Sequence, residues 1–315
     1  MKLIDFETIK GLNITPEQCY KWTEEAIVAK EGSILPPKIS MKPSAGVFFN
    51  VMPSIINTTP RYSGVKLVTR FPERVPSLDS QLLLCNADNG EFLALMDANW
   101  ITTMRTGAVA AHSIKLLAKK NFSSIGMMGL GNTARAALMI LASVIKDREF
   151  NVKLLKYKGQ EIDFADRFKD YENLHFSYVG TTEELVKGSE VVISAATYLA
   201  GDVCGDEYFD EGVLVVPIHT LGFTNCDLFF DKVFADDTGH VKHFKYFDKF
   251  KRFAEVSDVL CGKCAGREND KERILAYNIG ISIHDINFAA HIYGLVDKSK
   301  LIDVDMHSPV EKFWI

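Results

Sequence analysis

Apolar and polar positions alternate in two different rhythms along this 315-residue chain, and the change of rhythm divides it. Near the N-terminus, Thr15-Pro16-Glu17-Gln18 reads as a helix start, with Thr15 as the cap and Pro16 at the first helical position. Cys19, Trp22, Ala26, Ile27 and Ala29 then recur at helical spacing up to Gly32. After the Leu35-Pro36-Pro37-Lys38 turn come short β-like runs: Gly46–Met52, Gly64–Thr69, Gln81–Asn86 and Glu91–Met96. Asn89-Gly90 is a hairpin signal between the last two. Residues 35–96 therefore predict an antiparallel sheet, followed by a long helix from Asp97 to Lys119.

Beyond that helix, strand and helix patterns alternate. Strands are expected at Ile125–Met128, Val152–Tyr157, His175–Val179, Val191–Ala195 and Val213–Ile218, with helices at Ala134–Lys146 and Asp163–Asp170 between them. Such alternation predicts a parallel sheet covered by helices on both faces, and the unbroken apolar run Val213–Val216 suits a strand buried on both sides. A further helix is expected over Asn278–Tyr293. The fold class is thus α/β: a doubly wound parallel sheet following an α+β part.

Charge and composition narrow the partners. A formal net charge of −5 without a basic stripe disfavours nucleic acid, whose backbone calls for a cationic footprint. No apolar run approaches the ~20 residues that span a bilayer. Acidic residues stand near the start where a secretory signal needs an apolar stretch, so the expected location is cytoplasmic. The six scattered cysteines suit reduced thiols rather than a disulfide framework.

The strongest local motif is Gly129-Leu130-Gly131-Asn132-Thr133-Ala134, a G-x-G-x-x-A pattern that follows an apolar strand and opens an alanine-rich helix. Gly129 permits the tight turn, Gly131 lets the backbone approach a pyrophosphate, and Ala134 lets the helix pack close to the sheet. The free N–H groups of the helix start then face the phosphates. About 20 residues on, where NAD sites carry an acid for the ribose, the chain reads Leu155-Lys156-Tyr157-Lys158. Two lysines there predict NADP(H) over NAD(H). His240, His243, Cys261 and Cys264 form two ligand-type pairs about 20 residues apart, which overlaps zinc spacing. With only one C-x-x-C pair, and an intervening stretch that reads as a helix with both histidines on its solvent side, no metal is expected.

With that loop placed, several segments resemble, in order, the ornithine cyclodeaminase/mu-crystallin family: Leu35–Lys38, Met52-Pro53, Gly64–Val68, Thr102–Thr106 and Asn278–Asp285. The resemblance implies a Rossmann-like sheet, residues 116–289, that holds a dinucleotide and is inserted into an α+β unit, residues 1–115 plus 290–315, used for substrate binding and dimerisation. It also implies an oxidoreductase that moves a hydride at the α-carbon of a small amino or imino acid, as a homodimer. It implies that Arg105 clamps the substrate carboxylate, that Lys66 holds the carboxylate or moves a proton, and that Lys38 is a second cationic contact. Asp285 is implied near the nicotinamide. Family cyclodeaminases carry an aspartate just after the strand matching Val213–Ile218; here Thr224 and Asn225 stand in that place. That leaves dehydrogenation or imine reduction ahead of cyclodeamination, or of a non-catalytic NADPH-dependent binding protein.

Overall fold

The computed structural model describes residues 1–196, 202–219 and 228–315. Strands β1–β6 are Lys2–Ile4, Ile39–Ser44, Val47–Ile56, Tyr62–Arg70, Leu78–Asn86 and Phe92–Asp97. Strands β7–β11 are Ser124–Met128, Phe150–Leu155, Leu174–Val179, Val191–Ser194 and Leu214–Pro217, and β12–β15 are Lys232–Ala235, Phe253–Glu255, Ile274–Tyr277 and Ile302–Asp303. Helices α1–α4 are Phe6–Gly11, Pro16–Ala29, Asn99–Leu117 and Asn132–Val144. Helices α5–α9 are Gln160–Asp166, Thr182–Val186, Thr238–Val241, Val256–Leu260 and Ser282–Leu295.

Two sheets result. The first has the order β15-β1-β6-β5-β4-β3-β2, with β2 to β6 joined as antiparallel neighbours. Strand period decides which side chains it buries. Met52, Lys66, Leu82 and Met96 sit opposite one another across β3 to β6 and are all buried. Helix α9 packs over β3, β4 and β5 on that face. It can lie close because Gly64 of β4 has no side chain: a Cβ there would meet Ile286 of α9 and the Leu83 carbonyl. Ile39, Met41 and Leu67 point the other way and are exposed.

The second sheet is parallel throughout, in the order β13-β12-β14-β11-β10-β7-β8-β9. From β7 the chain winds outward through β8 and β9, then returns to β10 on the other side of β7. The crevice at the carboxyl ends of β7 and β10 is therefore the topological switch point, where open α/β sheets take their ligands. Helix α3 ties the two sheets together. Its Gly107 would place a Cβ 2.6 Å from the Ala136 and Ala137 main chain of α4, so only a bare backbone fits at this crossing.

Three expectations change. The helix expected at Asn278 begins at Ser282, because Ile274–Tyr277 pairs as β14 and Asn278–Ile281 runs on as a connector with Gly280 at φ +81°. Helix α9 packs against β3, β4 and β5 of the first sheet and against α2 and α3. The stretch between His243 and Cys261 is a 3₁₀ turn, a short strand and a one-turn helix rather than one helix. His240 is buried, not on a solvent face: its ring pairs with Asp237 at 2.7 Å and accepts the Lys38 N–H at 3.2 Å.

Candidate active site

Three elements bring charge into the space between the sheets. Strand β4 supplies Lys66, α3 supplies Arg105 and α9 supplies Asp285, and all three side chains are buried. Lys66 Nζ donates to Asp285 Oδ1 at 2.6 Å, and Arg105 Nε donates to the same oxygen at 2.8 Å. Burial of charge is tolerated only with pairing of this kind. The pairing is incomplete: Arg105 Nη1 and Asp285 Oδ2 have no hydrogen-bond partner. Donor and acceptor capacity is thus left facing inward, beside a guanidinium whose planar fork matches a carboxylate.

Burial, joined by the Arg105 charge, pushes the Lys66 ammonium down to about 7, against the pull of Asp285. Burial acts to raise Asp285, but Arg105 and Lys66 outweigh it and hold that carboxyl below its ordinary range. Lys38 lies at the same site's edge. Its Nζ donates to the Ile279 carbonyl at 3.1 Å, and burial lowers it to about 8. A lysine near neutrality can both give and take a proton, which an ordinary lysine cannot do at pH 7.

The glycine loop meets its structural requirements. Gly129 has φ +78°, and a Cβ there would overlap the main chain at Ala195–Ala196, the end of β10. Gly131 would place a Cβ in open space, so the approach to its backbone is clear. Helix α4 starts at Asn132 with no side chain capping its first N–H groups, which leaves them for an anion. Ala134 is buried in the packing, while Leu130, Asn132 and Thr133 remain at least partly accessible. These features fit the diphosphate of a dinucleotide.

Lys156 and Lys158 lie just past β8, both exposed. The sequence reading missed a neighbour: Glu161 turns back from α5, and its carboxylate accepts the Tyr157 N–H at 2.9 Å. The loop therefore holds one anion among its cations. Its signal was a carboxylate one turn into the next helix rather than at the strand end. Also missed were Asp236, whose Oδ2 accepts the Gly280 N–H at 2.7 Å, and His284, buried with neither ring nitrogen partnered. Thr224 and Asn225 lie outside the described residues. Among the described residues no group of three or more His, Cys, Asp or Glu is placed to hold a metal, and no helix is long and apolar enough to cross a membrane.

The chain is 25% identical over 279 residues to the nodulation efficiency protein NfeD of Rhizobium meliloti, covering 84% of each. It is 26% identical over 308 residues to an alanine dehydrogenase of Archaeoglobus fulgidus, covering 91% of this chain and 92% of that one. Its fold matches the Δ1-pyrroline-2-carboxylate reductase of Thermococcus litoralis, solved with NADH and L-proline, at a TM-score of 0.85 and 22% identity, over 96% of this chain and all of that one. The family model for ornithine cyclodeaminase/mu-crystallin proteins spans residues 6–300. With the ordered motifs and the two-sheet fold, that match over nearly the whole chain makes this protein a member of the ornithine cyclodeaminase/mu-crystallin family.

Proposed function

We propose that Lys66 and Arg105 are the catalytic pair of a nicotinamide-dependent oxidoreductase acting at the α-carbon of a small amino or imino acid. The observation that carries the reading is the buried Lys66–Asp285–Arg105 cluster with its unpartnered Arg105 Nη1. A substrate carboxylate would take that free N–H group, with Lys38 as a second cation. Such a buried, charge-assisted pair fixes orientation as well as affinity. Binding a carboxylate also adds negative charge beside Lys66, which favours its protonated form.

The dinucleotide would lie on Gly129, Leu130, Gly131, Asn132, Thr133 and Ala134, and its nicotinamide supplies or accepts the hydride. In imine reduction the C=N carbon gains the hydride, the π pair moves to nitrogen, and Lys66 delivers a proton there. In amino acid oxidation Lys66 takes the proton instead. Asp285 keeps both cations in place, and the surrounding buried side chains exclude water that would weaken these charges.

For the finer choice of cofactor, NADP(H) is assigned over NAD(H), because Lys156 and Lys158 can pair with a 2′-phosphate while Glu161 is already engaged by Tyr157. The protein acts in the cytoplasm as a homodimer, a second copy covering the exposed apolar face at Ile39, Met41 and Leu67. Dehydrogenation or imine reduction is favoured over cyclodeamination because Ile218–Asn225 contains no acid.

The test is nicotinamide oxidation on Δ1-pyrroline-2-carboxylate, on its six-membered homologue, and on 2-oxo acids with ammonia. Turnover that collapses in both Lys66→Ala and Arg105→Ala is the expected result. A Lys66→Ala enzyme with full turnover would overturn the assignment.

A further inference from the structure

Asp236 follows β12 of the nucleotide sheet, yet its contacts govern the substrate side. It is buried, at 6% exposure. Its own N–H donates to the Tyr277 carbonyl at 3.2 Å, and its carbonyl accepts Lys30 Nζ at 2.8 Å. Both main-chain groups are thus anchored before the side chain acts. Carboxylate Oδ2 then accepts the Gly280 N–H at 2.7 Å. Oδ1 has no partner. Asp236, Lys30, Ser113 and His284 help line a cavity of about 10 Å³, room for about one water.

Gly280 is where this matters. It lies in the connector between β14 and α9, with φ +81°, a conformation that needs glycine. A Cβ on it would overlap Arg105 Nη1, so its bare Cα is packed against the guanidinium. The neighbouring Ile279 carbonyl accepts Lys38 Nζ at 3.1 Å. By accepting the Gly280 N–H, Asp236 therefore helps to hold a connector that touches both Arg105 and Lys38.

We infer that Asp236 is a positioning residue: from the end of a nucleotide-sheet strand it holds Gly280, and through Gly280 it sets where Arg105 and Lys38 present their cations. This rests on the reading of Arg105 as the carboxylate clamp. Asp236 acts through the connector, and its charge also bears directly on Lys38. It joins the sheet that would bind the nucleotide to the groups that would bind the substrate.

The experiment measures KM for Δ1-pyrroline-2-carboxylate and the nucleotide Kd in Asp236→Ala, Asp236→Asn, Gly280→Ala and Arg105→Lys. Asp236→Ala is expected to raise KM about tenfold while the nucleotide Kd stays within twofold. Asp236→Asn, which keeps a carbonyl oxygen for the Gly280 N–H, recovers most of that loss. Gly280→Ala raises KM as well, by the separate route of a Cβ pressed against Arg105 Nη1. Should Asp236→Ala not fold, Asp236→Asn and Gly280→Ala carry the test, with KM raised in the second and far less in the first. An unchanged KM in Asp236→Ala, or a parallel loss of nucleotide affinity, overturns the inference. If Arg105→Lys raises KM and Asp236→Ala does not, only this inference fails; if Arg105→Lys leaves KM unchanged, the clamp reading fails and takes the inference with it.

Discussion

Lys66 and Arg105 donate to one and the same carboxylate oxygen, Asp285 Oδ1, at 2.6 and 2.8 Å. Two buried cations thus share a single counter-charge. Removing that charge leaves them facing each other, and losing one member of a buried ion pair costs about 3–5 kcal/mol. Asp285→Asn is expected to lose stability of that order in urea unfolding. Because Asp285 raises Lys66 while burial and Arg105 lower it, the variant should also move the Lys66 titration below about 7. An unchanged midpoint in the pH–rate profile would separate Asp285 from Lys66.

The direction of the pH dependence follows from the same group. With its value lowered to about 7, Lys66 is protonated below that pH and neutral above it. Imine reduction needs the proton, so its kcat/KM, which reports the free enzyme, falls as pH rises through about 7. Amino acid oxidation needs the neutral amine, so its kcat/KM rises over the same range. Matching inflections of opposite sense in the two directions, both absent in Lys66→Met, would be the signature. Profiles that bend the same way in both directions would exclude this role.

Gly129 and Gly131 serve different ends, and alanine tells them apart. Gly129→Ala meets the Ala195–Ala196 main chain at positive φ, where an L-residue alone costs about 1–2 kcal/mol, so it should lower the melting temperature. Gly131→Ala has φ −86° and open space, so the fold should tolerate it. Its methyl would stand where the diphosphate approaches, and nucleotide KM should rise about tenfold or more with little change in melting temperature. Equal melting losses in the two variants would contradict this division.

Lys156 and Lys158 are tested by charge reversal. Lys156→Glu with Lys158→Glu should lower kcat/KM for NADPH at least tenfold and leave NADH within about threefold. Parallel losses, or none, would remove them from 2′-phosphate recognition and leave Glu161 as the loop's contact to the ribose.

The parts of this site that are local in sequence were legible. The Gly129–Ala134 loop announces itself because strand, turn and helix follow one another within a few residues. Lys66 and Arg105 came from ordered motifs, not from periodicity, which shows only that their neighbours alternate. Asp285 as the shared acceptor was out of reach: it lies 219 residues from Lys66 and 180 from Arg105, and nothing local pairs them. Four-residue apolar strands such as Ile274–Tyr277 were missed for another reason. Run directly into Asn278–Asp285, they cannot be told from a buried helix by pattern alone. The connector that results, with Gly280 against Arg105, is what carries the coupling to Asp236.

The most direct test of the central claim is nicotinamide oxidation with a small cyclic imino acid, compared between the intact protein and Arg105→Lys. Lysine keeps the charge but loses the planar fork. The expected result is turnover by the intact protein and a fall in kcat/KM of about 10²-fold or more in the variant, with nucleotide binding retained. Intact turnover in Arg105→Lys, or nucleotide binding with no turnover on any imino or 2-oxo acid, would contradict an enzyme built around the Lys66–Asp285–Arg105 cluster.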